Sequence, residues 1–247
     1  MIPKIIHYCW FGKNPLPDLA VKCIESWKVH FPDYEIIEWN EENFDVNIVP
    51  YTAEAYRAKK YAFVSDYARF WILHKYGGLY FDTDVEVIKN MDDIIAKGAF
   101  MGCELCPDRV NGGFKPAIAP GLGLGVEPGN KLYEKILESY KNKHLFDFKG
   151  LITETVVGIV TKLLTCNQKV LDLRQICEIE GVTIYPSDYF CPIIAYTGEM
   201  NITENTRSIH HYTATWMDKR QAPRHKRAIQ RFKYVMDRIY VTLFYKK

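Results

Sequence analysis

Residues 77–84 read Gly-Gly-Leu-Tyr-Phe-Asp-Thr-Asp, a short apolar run that ends in an Asp-x-Asp pair. Because side chains alternate between the two faces of a strand, Tyr80, Asp82 and Asp84 are predicted to share one face. Two carboxylates at a strand end suit a hard divalent cation such as Mg²⁺ or Mn²⁺, which in turn holds substrate phosphates. The stretch therefore predicts a buried strand of an α/β sheet with a metal and diphosphate site at its end.

A helix is predicted directly before this strand, over residues 65–76. Ser65 is its predicted N-cap, and a glycine at 77–78 supplies the left-handed residue that ends it. Asp66 and Arg69 are three residues apart, which places both on one helical face. They form either an intrahelical ion pair or a polar edge that faces the same cleft as the two aspartates.

Taken together, residues 65–84 carry the pattern S-D-x-x-R-x-x-x-L-x-x-x-G-G-x-Y-x-D-x-D. This string resembles the sugar-nucleotide signature of glycosyltransferase family 32, which includes yeast-type mannosyltransferases and bacterial capsular-polysaccharide enzymes. The large clostridial glucosylating toxins carry a related signature. The start of the chain, residues 2–12, is similar to the family's "IPKIIHxxWxG" opening and reads as a first strand followed by a loop.

The resemblance implies an α/β nucleotide-diphosphosugar transferase fold (GT-A-like), a single Rossmann-like domain with a mixed central sheet and helical insertions. It also implies a metal-dependent, retaining glycosyltransferase that moves a hexose or N-acetylhexosamine to a glycan or lipid-linked glycan acceptor in surface polysaccharide synthesis. A UDP-sugar is the favoured donor, because Trp10 follows the first strand and offers a flat face to uracil.

The resemblance assigns roles to particular residues. Mn²⁺ or Mg²⁺ is expected on Asp82 and Asp84, and the catalytic residues are expected to be Asp66, Arg69 and Asp82. Arginine suits phosphate oxygens because its fork of N–H groups matches their geometry. The donor-binding residues that it implies are Trp10, Tyr80, Asp66, Arg69, Asp82 and Trp216.

A second match lies at residues 208–216, which resemble the family's closing "HHxxxSW" segment, with Thr215 in place of serine. The resemblance implies that one histidine joins the aspartates on the metal and that Trp216 closes over the donor. His211 begins the H-Y-x-x-x-W spacing, so it is predicted as the ligand in preference to His210. The alternative is that this histidine is an ordinary hydrogen-bonded strand residue.

Composition favours one globular catalytic domain over residues 1–218. The chain has 247 residues, of which 48% are hydrophobic, so it can bury a sizeable core. It begins with a strand, and its seven cysteines are an odd number, so we expect a cytoplasmic protein with reduced thiols. Cys103-x-x-Cys106 lacks the second pair that a zinc site of this spacing needs.

Residues 219–247 differ from the rest of the chain in charge. They hold ten lysines or arginines and one acid, Asp237, whereas the whole chain carries a net charge of +2. Apolar residues recur there at three- and four-residue steps, which predicts a basic amphipathic helix. Such a helix either packs on the domain or lies on an anionic membrane surface, here the inner face of the plasma membrane. No nucleic-acid motif accompanies the charge, so nucleic acid is not expected as a partner.

The middle of the chain predicts helices over residues 52–62, 128–141 and 153–164, the last one capped by Thr153 with its N-terminus towards the donor cleft. The glycine-rich stretch 111–125 reads as a loop followed by a strand of small residues. Two other functions stay open from the sequence. One is a non-catalytic module that binds a sugar nucleotide or a lipid-linked glycan, and the other is an Asp-x-Asp metal-dependent hydrolase.

Overall fold

The structure is a computed structural model that describes residues 1–108, 110–152, 154–166 and 172–213. The strands are β1 Ile5–Cys9, β2 Glu35–Trp39, β3 Gly78–Tyr80, β4 Val85–Val87, β5 Phe100–Pro107, β6 Phe114–Ile118, β7 Leu124–Val126, β8 Cys177–Ile179, β9 Val182–Tyr185 and β10 Ser208–His210. The helices are α1 Asp18–His30, α2 Pro50–Arg57, α3 Tyr61–Tyr76, α4 Asp92–Ile95, α5 Lys131–Glu138, α6 Val156–Thr165 and α7 Ser187–Phe190.

A mixed sheet forms the centre of the described chain. Its strand order is β2-β1-β3-β7-β5-β9-β8, and β6 pairs with β5 at one side. Strands β2, β1 and β3 are parallel, whereas β7 is antiparallel to both β3 and β5. A separate two-stranded sheet joins β10 to β4. The predicted α/β class with a mixed central sheet and helical insertions is confirmed.

The sheet separates two apolar cores, and β3 contributes to both. Tyr80 packs in the core that contains α3, α5 and α6, while Leu79 and Phe81 pack in the core that contains α1. All three side chains are fully buried. The alternation predicted for residues 79–81 is therefore confirmed, and it places the chain that follows β3 at the carboxyl edge of the parallel strands.

The two predicted N-caps, Ser65 and Thr153, are wrong. Helix α3 begins at Tyr61, four residues before the predicted cap, and the Ser65 hydroxyl bonds back to the carbonyl of Tyr61 from inside the helix. Helix α6 is capped by Thr155, whose hydroxyl accepts from the amide of Gly158. Thr153, the predicted cap, lies outside the described residues, as do Trp216 and the predicted helix at 219–247. In the described part of the chain, no helix is both long and apolar enough to span a membrane.

His7 fixes the junction between β1 and the end of α3. Its side chain is fully buried, with Nε2 3.0 Å from the carbonyl oxygen of Gly77 and Nδ1 accepting from the indole N–H of Trp39. This pattern requires a neutral imidazole that carries its proton on Nε2. Burial lowers the pKa of His7 to about 4, against a smaller opposing effect of the hydrogen bond to Gly77.

This histidine predicts a loss of stability in mild acid. The unfolded chain binds a proton near pH 6.5 and the folded chain only near pH 4, so stability is complete above the first value and falls below it. Between pH 7.5 and pH 5 the loss is about 2 kcal/mol. Urea unfolding of the wild type and of His7→Gln at both pH values measures it, because glutamine cannot titrate. Equal pH dependence in the two proteins would contradict the assignment.

Candidate functional site

A cleft of about 480 Å³ opens where β1 and β3 end. Ligands of α/β folds bind outside the carboxyl ends of parallel strands, and this volume lies in the range of small-molecule sites. The walls come from the loops after β1 and β3, from α3, from the segment before β7 and from the segment after β10. Polar or aromatic residues that line it include Trp10, Asp66, Arg69, Asp82, Asp84 and His210.

The turn that carries the two aspartates is fixed by backbone contacts. The amide of Asp82 donates to the carbonyl of Gly121 at 2.9 Å, and the amide of Val85 donates to the carbonyl of Asp82 at 3.0 Å. A Cβ atom on Gly121 would overlap the Oδ2 atom of Asp82, so only glycine leaves room for the carboxylate. Sequence analysis identified this stretch only as glycine-rich, because its contact with Asp82 spans nearly forty residues of sequence.

Asp82 is oriented by two buried side chains. The hydroxyl of Tyr80 donates to Oδ1 at 3.0 Å, and the guanidinium of Arg69 lies 3.2 Å from the same oxygen. The Tyr80 side chain is fully buried in the core, and its ring lies under the Arg69 guanidinium at 5.1 Å. The predicted donor contact of Tyr80 is therefore corrected: its hydroxyl is engaged by Asp82 and positions that carboxylate.

Arg69 is the hub of this network. Its Nε donates to the backbone carbonyl of Ser65, and its NH1 donates to the backbone carbonyl of Pro120 and towards Asp82. Its NH2 donates to Asp66 at 3.0 Å and lies 3.2 Å from Asp82. A guanidinium has five N–H groups, and these contacts use all five. The structure thus shows Arg69 holding its neighbours in place, and its phosphate contact stays a prediction. Arg69 joins helix α3, the Pro120 loop and the first aspartate of the pair.

The carboxylates around Arg69 share one cation in a buried setting. Burial raises the pKa of Asp66 to about 7, although the neighbouring Arg69 opposes the shift. Burial also raises the pKa of Asp82, with Arg69 opposing and the charge of Asp84 adding to the rise. The ion pair predicted between Asp66 and Arg69 is present, and both side chains also border the cleft.

The groups around Asp84 keep its side chain ionised. Its Oδ2 accepts from both the amide of Thr213 at 2.8 Å and the hydroxyl of Thr213 at 2.7 Å. Its Oδ1 lies 3.2 Å from Nε2 of His210. Burial alone would raise the pKa of Asp84, but His210 and the Thr213 donors outweigh burial and hold it well below the usual range. Tyr212 adopts a left-handed backbone, with φ of 50°, and this turns the chain so that Thr213 reaches Asp84.

The structure places His210, and not His211, beside the aspartates. Strand β10 pairs antiparallel with β4 so that His210 lies opposite Val85, the neighbour of Asp84. The next side chain therefore points away, and Nε2 of His211 lies 2.8 Å from Oε2 of Glu86. The prediction of His211 as metal ligand is corrected for this reason. The motif spacing could not decide between the two histidines, but the register of this strand pair does.

Trp10 borders the cleft, and its contact with a nucleobase stays a prediction. Its indole N–H donates to the carbonyl of Asn14 at 2.6 Å, so the ring face is what it offers to a ligand. The start of α6, residues 155–157, also lines the cleft, as predicted. The two cysteines of the CxxC pair diverge: Cys103 is buried in the core, whereas Cys106 borders the cleft. Residues three apart on a strand face opposite sides, so these two thiols cannot form a zinc pair.

The part of the chain that carries the two aspartates is similar to a known protein family. Residues 17–101 match the family described as "Glycosyltransferase sugar-binding region containing DXD motif". This span includes α3, β3 and both aspartates. Over these residues the chain is similar to the DXD-containing sugar-binding region of glycosyltransferases, which agrees with the resemblance drawn from the sequence.

Particular relatives include two yeast proteins. Inositol phosphoceramide mannosyltransferase 3 of Schizosaccharomyces pombe is 35% identical over 98 residues, which cover 38% of this chain and 27% of that protein. Mannosyl phosphorylinositol ceramide synthase CSH1 of Saccharomyces cerevisiae is 28% identical over 146 residues, 58% of this chain and 36% of that protein. The alignments thus span about a third of each relative. Among solved structures, PaToxG glycosyltransferase aligns at 19% identity over 68% of this chain and 70% of its own, with a TM-score of 0.47.

Proposed function

We propose that this chain is a metal-dependent glycosyltransferase that moves a hexosyl residue from a nucleotide-diphosphosugar to a glycan or lipid-linked glycan acceptor. The observation that carries the proposal is the convergence of Asp82, Asp84 and His210 on one cleft that Trp10 also lines. The three come from two distant parts of the chain, and separate hydrogen bonds fix the orientation of both carboxylates.

The side chains present fit Mn²⁺ or Mg²⁺. Two carboxylates supply the hard oxygen ligands that these ions prefer, and an imidazole beside them is acceptable to Mn²⁺. Asp84, which stays ionised, and Asp82 would hold the cation, with Nε2 of His210 as a third donor. When bound, the cation supplies Lewis-acid stabilisation of the charge that develops on the leaving nucleotide diphosphate.

The other residues of the site orient the two aspartates or line the cleft. Tyr80 and Arg69 hold Asp82, and Thr213 holds Asp84, so the two carboxylates need no reorganisation when a donor arrives. Trp10 presents its ring face beside the nucleobase. Retention of anomeric configuration is part of the proposal, with the departing diphosphate accepting the proton of the attacking hydroxyl.

The donor and the acceptor are proposed by class. Trp10 favours a UDP-sugar of a hexose or N-acetylhexosamine, because its indole is flat enough to stack on uracil. The names of the yeast relatives add mannose to the hexoses and an inositol phosphoceramide to the acceptors. Surface polysaccharide synthesis, in which acceptors are lipid-linked, unites these features.

The test is nucleotide release from a panel of UDP- and GDP-sugars, with Mn²⁺, with Mg²⁺ and with EDTA. Release from one donor in Mn²⁺ that EDTA abolishes supports the proposal and names the sugar. Donor-induced thermal stabilisation without release, even with glycan acceptors present, would instead indicate a binding module. Inorganic phosphate release without any acceptor would indicate a hydrolase.

The two adjacent histidines provide a matched pair. His210→Ala is expected to raise the Mn²⁺ concentration needed for half-maximal nucleotide release by roughly 10–100-fold, because a cation ligand is lost. His211→Ala, which removes the contact with Glu86, is expected to stay within about threefold of the wild type. Titration of both variants with Mn²⁺ measures the difference. The reverse order of effects would return the metal role to His211.

Membrane contact by residues 219–247 is also part of the proposal, supported by their ten basic residues and one acid. The full chain is expected to float with anionic vesicles, and a chain ending at Met217 is expected to remain in the dense fraction, because the basic charge is gone. Flotation in low and high salt measures this. Equal flotation of both chains would rule out the tail as the membrane contact.

A further inference from the structure

A second group of metal-ligand side chains lies next to the proposed donor site and shares one residue, His210, with it. Ligand atoms of Glu104, Cys191 and His210 all lie within 4.8 Å of one another. The three residues come from β5, from the end of α7 and from β10. Side chains that converge from three separate elements are held by the whole fold, so their proximity does not depend on one loop.

The ring of His210 has a second nitrogen, Nδ1, that can serve this group as a ligand. Its Nε2 faces Asp84, and the ring also interacts with the thiol of Cys191 in the buried wall of the cleft. An imidazole nitrogen and a thiol that face each other are both ligands of borderline-soft cations such as Zn²⁺. Metal-binding imidazoles typically donate their other N–H to a carboxylate, which is the relation that Nε2 of His210 has to Asp84.

The surroundings of Cys191 also suit a cation. Its sulfur lies 2.9 Å from the hydroxyl of Tyr212, which donates at 2.9 Å to Oε2 of Glu104. Cys191 is only 3% exposed, whereas Glu104, His210 and Tyr212 line the cleft. An ion can therefore approach from the cleft and meet the thiol at its inner wall.

We propose that Glu104, Cys191 and His210 form a site for a thiophilic divalent cation, Zn²⁺ by its chemistry, beside the hard-cation site at Asp82 and Asp84. Zn²⁺ takes sulfur, imidazole nitrogen and carboxylate oxygen, and three protein ligands leave it a fourth position. On binding, the metal–sulfur bond replaces the thiol proton of Cys191, which is released to solvent. Nδ1 of His210 becomes the nitrogen ligand, and the Nε2–H remains directed at Asp84.

One consequence rests on the proposed function. His210 belongs to both sites, and an imidazole that carries a proton on Nε2 cannot ligate the donor cation through that nitrogen. Zn²⁺ at the thiol site therefore withdraws His210 from the Mn²⁺ site. Zinc is expected to inhibit Mn²⁺-supported nucleotide release even when Mn²⁺ is in excess.

The site itself is tested with Co²⁺ and does not require turnover. Titration of the reduced full chain with Co²⁺ is expected to give a thiolate-to-cobalt charge-transfer band in the near ultraviolet, which carboxylate sites cannot produce. Cys191→Ser is expected to abolish the band. Cys166→Ser, a matched change at an exposed thiol, is expected to retain it. Absence of the band in the wild type, or its survival in Cys191→Ser, would overturn the site.

Glu104→Gln provides a second variant that does not alter the thiol. It is expected to keep the band but to weaken Co²⁺ affinity by about tenfold or more, because an anionic ligand is lost. Unchanged affinity would remove Glu104 from the site. This variant keeps the proposal testable if Cys191→Ser fails to fold.

A separate inhibition experiment tests whether Zn²⁺ at the thiol site weakens the Mn²⁺ site through the shared residue His210. Once a donor has been found, Zn²⁺ is titrated into the Mn²⁺-supported reaction of the wild type and of Cys191→Ser. The variant is expected to keep its activity without zinc and to need at least about tenfold more Zn²⁺ for half inhibition. Equal sensitivity of the wild type and Cys191→Ser to Zn²⁺ would overturn this link between the two sites. The cobalt band distinguishes this result from a failure of the proposed function, because the band is independent of any donor.

Discussion

Asp84→Asn is expected to reduce metal-dependent nucleotide release by about a thousandfold while leaving the protein folded. The change removes one full charge from the cation site, where electrostatic groups of this kind contribute about 3–4 kcal/mol to the transition state. The amide oxygen of asparagine can still accept from Thr213, so the local fold is retained. Steady-state release with the preferred donor, together with a thermal unfolding curve, measures both parts of the prediction.

Glu86→Gln is the control for this change. It is another acid-to-amide substitution two residues away, on β4, but its side chain contacts His211 and lies outside the cleft lining. Its activity is expected to stay within about threefold of the wild type. Asp84→Asn with wild-type activity, or an equally large loss in Glu86→Gln, would show that Asp84 has no special role.

Arg69→Met is expected to lower the free energy of unfolding by about 3–5 kcal/mol, because it leaves the buried Asp66 and the half-buried Asp82 without their cation. The pKa of Asp66 is already raised to about 7 by burial, and loss of Arg69 removes the cation that opposes this shift. When the pKa of a carboxyl group is higher in the folded chain than in the unfolded chain, ionisation of that group destabilises the folded state. The loss of stability is therefore expected to be larger at pH 8 than at pH 6.

Arg174→Met is the matched control for this prediction. Arg174 and Asp172 form an exposed pair with a closest distance of 3.9 Å, and such pairs contribute little. Its loss is expected to stay below about 1 kcal/mol at either pH. Urea unfolding of both variants at the two pH values gives the comparison. A small loss for Arg69→Met, or no pH dependence, would contradict the role of Arg69 as the cation of a buried network.

Local patterns were sufficient to predict the parts of the fold that sit next to each other in sequence. The apolar alternation at residues 79–81 predicts a strand buried on both faces, and the three-residue step from Asp66 to Arg69 predicts their ion pair. Trp10 lines the cleft because it follows β1, and loops at that edge of an α/β sheet face ligands. In each case the geometry depends on period and position, which the sequence contains.

Contacts between residues that are distant in sequence determine the parts of the site that sequence patterns did not predict. His210 rather than His211 meets Asp84 because of the register between β10 and β4, which are separated by about 120 residues. Gly121 matters because its missing Cβ makes room for Asp82. Arg69 and Tyr80 were expected at the donor, but buried partners that only the folded chain brings together engage their polar groups. Sequence motifs thus identified the group of residues, and packing decided which side chains each of them contacts.

The central claim is that Asp82 and Asp84 hold the cation that joins the donor diphosphate to the protein. The most direct test is Mn²⁺ binding, followed by electron paramagnetic resonance, with UDP or GDP present, in the wild type and in Asp82→Asn with Asp84→Asn. The account predicts that nucleotide diphosphate strengthens Mn²⁺ binding to the wild type and that the double variant loses this binding while remaining folded. Nucleotide-dependent Mn²⁺ binding of equal strength in both proteins would contradict it.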